Sequence, residues 1–357
     1  MSFEPLSSRP SDPGPTLRPP ATLERWTTQL FESCGVPLDQ AAEAAAIIVR
    51  SELRGYGTHG MTRVASYVER LQSGDFNPTP AMRDHVFPGG VVLDADGAMG
   101  QIAGPYALRL GLKALDASAS VLVSIQQCGH LGALGMYALL AAEAGAFCML
   151  GQRTPPILAV KGFARSAIGH NPIAFGCPFP GGEPVVFDIA CSVAARGHIL
   201  LAAREGRPIP ENWALDETGA STTDAQRALK GSLLPMGGHK GIGIAMMVEV
   251  LAGALSATAA SLEAGGNDLP LAGAMGRQGA FLWMVKPEAF AAKELFGAYM
   301  ARWTETYLSA GGDQARLPGN RGAQLERRGR AAGIALSEAL QRELSVLGEK
   351  LGIPLPS

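Results

Sequence analysis

His59 and Arg63 stand four residues apart in the string YGTHGMTR (56–63). On a helix that spacing projects both side chains from one face. An imidazole beside a guanidinium suits a substrate that carries a carboxylate next to a carbonyl. Arg63 can grip the carboxylate with two hydrogen bonds while His59 supplies a proton to the oxygen developing on the reduced carbon. Thr58 can orient the imidazole through its hydroxyl, and the same hydroxyl is a natural N-cap for a helix starting here. An ordinary solvated helix also carries His and Arg at this spacing, so the pair alone does not prove a site.

Other strings add anion-binding chemistry. In QQCGHLGALGMYA (126–138) a strand runs into a helix through Gly129, Gly132 and Gly135, and the helix N-terminus offers free amides to a phosphate or carboxylate. The spacing is G-x-x-G-x-x-G, so the Rossmann fingerprint is missing, and no P-loop occurs elsewhere. A dinucleotide would have to bind by another route. PMGGHKGIG (235–243) combines a glycine turn, His239 and Lys240 at the start of an apolar helix, which is an anion-site recipe or a close-packed helix start. In GHNPIAFGCP (169–178) and PVVFDIACSVAARGHI (184–199), Asp188 ends a buried strand, where side chains of α/β sheets face ligand crevices or simply cap a helix.

Five of the six histidines adjoin glycine; only His85 does not. They lie in separate segments without H-x-x-x-H, H-x-H or H-E-x-x-H, so no metal site is expected. No G-x-S-x-G elbow occurs, and the cysteines at 34, 128, 148, 177 and 191 lack an activating context or C-x-x-C pair. Their odd count argues against a disulfide framework and points to a reducing cytoplasm.

The elements that must position these residues follow from periodicity. The chain has 357 residues, 47% hydrophobic and 17% charged, with a net charge of −2. That composition supports a sizeable core and speaks for a small-molecule partner, against nucleic acid and against an anionic membrane. Residues 1–22, proline-rich, read as a disordered tail. Two helices follow, with a third starting at Thr58. Beyond residue 80, short apolar runs (90–96, 119–125, 146–151, 171–178, 183–190, 281–285) alternate with Ala-rich helical segments, which predicts an α/β domain. Residues 241–262 are long enough to span a membrane, but Glu249 at the middle favours a buried core helix. Residues 308–325 read as loop, and the last thirty or so as helix.

Taken in order, these motifs, closed by RLPGNRG (316–322), resemble the type-2 malate/L-lactate dehydrogenase family over about residues 25–340. That family includes sulfolactate, ureidoglycolate and diketogulonate dehydrogenases and cyclic imino-acid reductases. The resemblance implies an NAD- or NADP-dependent oxidoreductase and a homodimer. It implies a non-Rossmann cofactor domain with a mixed sheet (81–321) and a helical domain from both termini (23–80 with 322–357). His59 looks like the family's proton donor, aided by Thr58, and Arg63 like its carboxylate ligand. His130, Leu131, Gly132, Ala133, Leu134, Thr154, Asp188, Ile189, Ala190, His239, Lys240, Pro318 and Gly319 resemble its cofactor contacts. Arg196 and Gly197 fall where imino-acid reductases touch substrate.

Three positions depart from the family pattern. Thr58 replaces serine, His170 stands where many members have threonine, and His198 replaces an aspartate or lysine. His170 and His198 are therefore expected at the substrate. The favoured reading is hydride transfer at C2 of a small 2-hydroxy/2-oxo acid. The alternatives are a cyclic imino-acid reductase and a cofactor-binding protein with degraded chemistry.

Overall fold

The computed structural model describes residues 17–163, 165–257 and 278–356. Helices α1 (Pro20–Ser33) and α2 (Leu38–Leu53) bury residues at three- and four-residue intervals, including Leu23, Trp26, Leu30, Ala41, Ala45 and Ile48. Each therefore has one apolar face to cover. A short turn and helix α3 (Val64–Gln72) follow.

A seven-stranded sheet carries the architecture. Its strands are β2 (Arg83–Phe87), β3 (Gly90–Asp94), β4 (Ser120–Cys128), β5 (Phe147–Gln152), β8 (Ile173–Cys177), β9 (Val185–Ile189) and β12 (Gln278–Val285), in spatial order 2-3-4-12-5-8-9. Only β3 and β4 pair in parallel, joined by the crossover helix α4 (Gly100–Ala114); the other neighbours are antiparallel. The sheet is mixed and the fold is α/β. Helix α5 (Leu134–Glu143) packs with α4 under the sheet, and the core there is continuous with that of α1 to α3.

A smaller four-stranded sheet orders β10 (Ala214–Leu215), β11 (Ser232–Leu233), β6 (Pro156–Leu158) and β7 (Ile168–Gly169). With α6 (Arg196–Arg204) and α7 (Ala225–Lys230) it surrounds a separate apolar cluster that includes Leu158, Ile199 and Leu233. Helix α8 (His239–Ala252) lies across the large sheet through Val248 and Ala252, which meet Phe281. Beyond α8, Trp283, Phe147, Phe175 and Phe187 form a row of neighbouring rings 5.6–6.5 Å apart. The chain ends with α9 (Lys293–Gly311), α10 (Asn320–Ala332), β13 (Ile334–Ala335) and α11 (Glu338–Lys350).

Four expectations need correction. The tail does not extend to residue 22: β1 (Leu17–Arg18) pairs with β13, Arg18 donates to the Pro356 carbonyl at 2.8 Å, and α1 begins at Pro20. Proline at the first helical position is already set to the helical φ, so a proline-rich string can start a helix as well as stay loose. The third helix starts at Val64 rather than Thr58, because Gly60 is non-helical (φ −96°, ψ −132°) and a 3-10 turn, Met61–Arg63, intervenes. Residues 308–325 are largely helical, in α9 and α10.

The fourth correction concerns α8, whose buried positions are only Gly241, Ala245, Val248 and Ala252. Met246 and Val250 on its other side are 56% and 55% exposed. By length and composition His239–Ser256 could cross a membrane. Glu249, however, binds Arg153 at 2.7 Å and accepts from buried Asn171, which seats the helix on the protein. Residues 258–262 of the expected helix lie outside the described residues. Helix α9 is more exposed still: only Met300 and Thr304 are buried, while Leu295, Tyr299, Trp303 and Tyr307, four residues apart, are 69, 74, 44 and 48% exposed.

Candidate active site

His59 sits in the tight turn between α2 and α3. Its backbone amide donates to the Tyr56 carbonyl, and the Glu52 carboxylate at the end of α2 accepts from Met61 N at 2.9 Å. Gly60 is dictated by this packing, since a Cβ there would lie 2.2 Å from Glu52 Oε2 and 2.9 Å from its Cα. The Thr58 hydroxyl is not a helix cap; it lies 2.9 Å from His59 Nδ1. A hydroxyl can both give and take a hydrogen bond, so it follows the ring through either protonation state. Arg63 donates from Nε to the Thr58 carbonyl at 2.7 Å. Its terminal nitrogens have no carboxylate partner among the described residues, although the side chain is half-buried. Burial first, then Arg63 and His170, hold the His59 pKa down at about 4.

The loop after β4 brings a second ring to the first. His130 and His59 have centroids 5.5 Å apart. Gln152, buried at the end of β5, fixes the loop backbone: Oε1 accepts from Leu131 N and Nε2 donates to the Gly129 carbonyl, both at 2.9 Å. Gln101, near the start of α4, donates to the carbonyls of His130 and Leu131. Gly132 needs its positive φ of 79°, and a Cβ there would meet Gln101 at 3.0 Å. Leu131, Ala133 and Leu134 are buried, and the Leu131 amide and carbonyl are taken up by Gln152, Gln101 and Tyr137, so among the three the backbone of Ala133 and Leu134 is what remains for a ligand contact.

His170 completes the cluster electrostatically, its own pKa lowered to about 4 by burial. Its Nδ1 lies 3.2 Å from the Thr154 hydroxyl. The next residue, Asn171, is fully buried at φ 28° and binds Thr154 N, the Ala245 carbonyl and Glu249. The His170 carbonyl accepts from Cys191 N, and the Cys191 carbonyl accepts from Met236 N. Two hydrogen bonds thus link His170 to the turn at Gly237 and Gly238, whose φ values are 56° and 60°. His239 and Lys240 occupy the exposed first turn of α8 beyond it.

Asp188, near the end of β9, accepts from Gly135 N at 2.7 Å in the first turn of α5. Burial raises its pKa to about 6 against the effect of that hydrogen bond; burial of Tyr56, and then the Asp188 charge, push Tyr56 up to about 12. Ile189 and Ala190 follow it, half-buried. Pro318 is joined to the same strand by Val186 N, and the Gly319 carbonyl accepts from Arg54, which also binds Glu326 at 2.8 Å.

Most of the expected residues therefore converge, but Arg196, Gly197 and His198 do not. They form the exposed first turn of α6, where Arg196 reaches the Leu229 carbonyl and the His198 ring lies 6.2 Å from Trp213. Among the described residues no hydrogen bond or ring contact joins them to His59 or Arg63. Sequence reading missed Tyr67, Gln101, Gln152 and Asn171. The available signal was a polar amide set in an apolar element, as in FCMLGQ (147–152), where burial demands a partner.

The profile of the family described as malate/L-lactate dehydrogenase matches residues 19–345. The chain belongs to that family. It is 35% identical over 333 residues to a Delta(1)-pyrroline-2-carboxylate reductase of Ancylobacter novellus, covering 89% of this chain and 93% of that one. It is 31% identical over 338 residues to a ureidoglycolate dehydrogenase (NAD(+)) of Escherichia coli O157:H7, covering 90% and 93%. Among solved structures, it resembles the delta1-piperideine-2-carboxylate reductase of Pseudomonas syringae with a TM-score of 0.82 and 28% identity, over 93% of this chain and 98% of that one.

The residues present suit the nicotinamide dinucleotide that the family implies. A Cβ at Gly238 would meet nothing within 4 Å, so the space above that turn is open. The amides of Gly238, Lys240, Gly241 and Ile242 already donate within the turn, so among the described residues the His239 amide remains for an anion there, with the exposed Lys240 beside it to supply the positive charge that a diphosphate requires.

Proposed function

We propose that this malate/L-lactate dehydrogenase family member is an NAD- or NADP-dependent oxidoreductase acting at C2 of a small 2-hydroxy/2-oxo acid. The observation that carries this reading is the half-buried Arg63 guanidinium, without a carboxylate partner among the described residues and next to His59. Arg63 holds the substrate carboxylate with its terminal nitrogens while Thr58 O fixes Nε. The chemistry supplied by a bound nicotinamide is hydride transfer to or from C2. His59 takes the hydroxyl proton during oxidation and returns it during reduction, with Thr58 steadying Nδ1. Lys240, His239 and the backbone at 130–134 hold the cofactor, assisted by Thr154, Asp188, Ile189, Ala190, Pro318 and Gly319. His170 shapes the acid pocket.

The seven-stranded mixed sheet serves as the cofactor domain, and the terminal helices form the unit that carries His59. The odd cysteine count supports a cytoplasmic setting.

A cyclic imino-acid substrate is the second reading, supported by the 35% identity to the pyrroline-2-carboxylate reductase. Burial also keeps His59 neutral in the free protein, and a protonated cyclic imine brings its own proton. The deciding assay offers NADH and NADPH in turn with pyruvate, a dicarboxylic 2-oxo acid and Delta(1)-pyrroline-2-carboxylate, following loss of reduced nicotinamide. Oxidation with at least one acid is expected. Cofactor fluorescence quenching without oxidation under all conditions would refute the enzyme and favour a binding protein.

A homodimer is part of the same proposal. The apolar stripe of α9 and the open side of α8 support it, since exposed patches of this kind mark interaction surfaces. Light scattering is expected to give twice the chain mass; a monomer at assay concentration would count against it.

A further inference from the structure

Gln101, Tyr67 and His130 form a hydrogen-bond chain whose direction follows from counting donors and acceptors. Gln101 is 1% exposed, and its Nε2 lies 3.2 Å from the His130 carbonyl, 3.1 Å from the Leu131 carbonyl and 3.1 Å from the Tyr67 hydroxyl. Carbonyls only accept, so the NH2 group must face them; a flipped amide would press Oε1 against two oxygens. In this orientation Oε1 is buried without a partner among the described residues, a cost that native proteins seldom carry without a reason.

The two amide hydrogens are shared among three oxygens, of which the Leu131 carbonyl also accepts from Tyr137 at 2.7 Å; whichever share reaches Tyr67, 2% exposed, its hydroxyl cannot donate to Gln101, because an amide nitrogen does not accept. The acceptor that remains is His130 Nδ1 at 2.9 Å. Nδ1 thus takes the Tyr67 proton, and the ring's own proton resides on Nε2. A doubly protonated ring would strand the buried hydroxyl hydrogen. Burial opposes that charge as well, as do Arg63, Arg70, His59 and His170 around it.

We propose that Tyr67 and Gln101 are positioning residues that lock His130 in the Nε2–H tautomer, so that beside His59 it presents one fixed donor to an sp2 oxygen of the bound ligand. The ligand half rests on the assignment of this cluster as the active site. The oxygen belongs either to the substrate acid or to the nicotinamide carboxamide. Among the described residues His130 Nε2 has no protein acceptor, which leaves its proton to the ligand.

The test begins with the histidine ring 15N spectrum of the ligand-free protein. A proton on Nε2 and a bare Nδ1 are expected for His130; a proton on Nδ1 would overturn the lock. Tyr67→Phe removes the selecting hydroxyl, and a mixture of tautomers is expected. It is also expected to weaken binding about five- to tenfold, the scale of one hydrogen bond. Titration with NADH and NADPH alone reads the carboxamide arm, and the KM of the acid reads the substrate arm. A loss in either arm supports the proposal, and no loss in both overturns it.

His130→Gln supplies an amide N–H near the ring Nε2 position without any tautomer to choose. In that background Tyr67→Phe is expected to cost less than about twofold; an equal loss in both backgrounds would mean that Tyr67 acts by packing and would overturn the proposal. An unlocked ring in an active enzyme overturns the lock alone. A locked ring in a protein that binds neither nicotinamide nor acid overturns the functional assignment and the ligand half of the proposal together.

Discussion

His59→Ala is expected to lower kcat by about 10²- to 10⁴-fold, the range that general acid–base catalysis supplies, while NADH and NADPH affinities stay within about twofold. The asymmetry follows from geometry: His59 lies beside Arg63, whereas the turn before α8, proposed to hold the cofactor's diphosphate, is a separate segment. Wild-type turnover in the variant would sink the assignment. The wild-type pH profile carries a second signature. With a pKa near 4, His59 is neutral through the physiological range. Oxidation needs a neutral base, so its kcat/KM is expected to be flat near neutrality and to fall only as pH drops through about 4. Reduction of a 2-oxo acid needs the charged ring, so its kcat/KM should decline as pH rises above that value. An acid carboxylate on Arg63 cancels part of the charge that depresses His59. The kcat limb, which reports the bound state, should therefore lie at higher pH than the kcat/KM limb.

Arg63→Met is expected to reduce kcat/KM for the acid by about 10²- to 10⁴-fold, the scale of two lost charge-assisted hydrogen bonds, with cofactor affinity preserved. Arg63→Lys should rescue little. One ammonium cannot hold the Thr58 carbonyl and also grip a carboxylate at two points. The substitution to methionine also removes a cation that lowers the His59 pKa, so the acid limb of oxidation is expected to move up toward the ordinary histidine range. An unchanged KM together with an unmoved limb would separate Arg63 from both roles.

Much of this arrangement was legible in the sequence. The apolar runs became β3, β4, β5, β8, β9 and β12 because buried strands need little beyond continuous hydrophobicity. Sheet order was not legible: β12, late in the chain, inserts between β4 and β5, and pairing over that separation leaves no local pattern. Thr58, His59 and Arg63 lie together as their spacing suggests, but on a turn instead of a helix, because the non-helical Gly60 answers to a carboxylate on α2 rather than to its neighbours. Gln101 and Gln152 stayed hidden for a related reason. Their meaning lies in carbonyls and amides supplied by the distant loop at 129–131. Exposure misled in the opposite sense at α8, where an all-round apolar helix suggested full burial and only one stripe is covered.

Asn171 and His170 are adjacent in the chain and opposite in what they tolerate. Asn171 holds three segments together from a backbone conformation that few side chains accept, so most substitutions would leave buried polar groups orphaned. The His170 side chain makes one hydrogen bond among the described residues, to Thr154, so its replacement would orphan fewer polar groups. Substitution at position 170 is therefore expected to disturb the scaffold less than substitution at 171. With His170 in the proposed acid pocket, a change there is expected to alter which acid is accepted at little cost to folding, whereas a change at 171 is expected to cost the fold first.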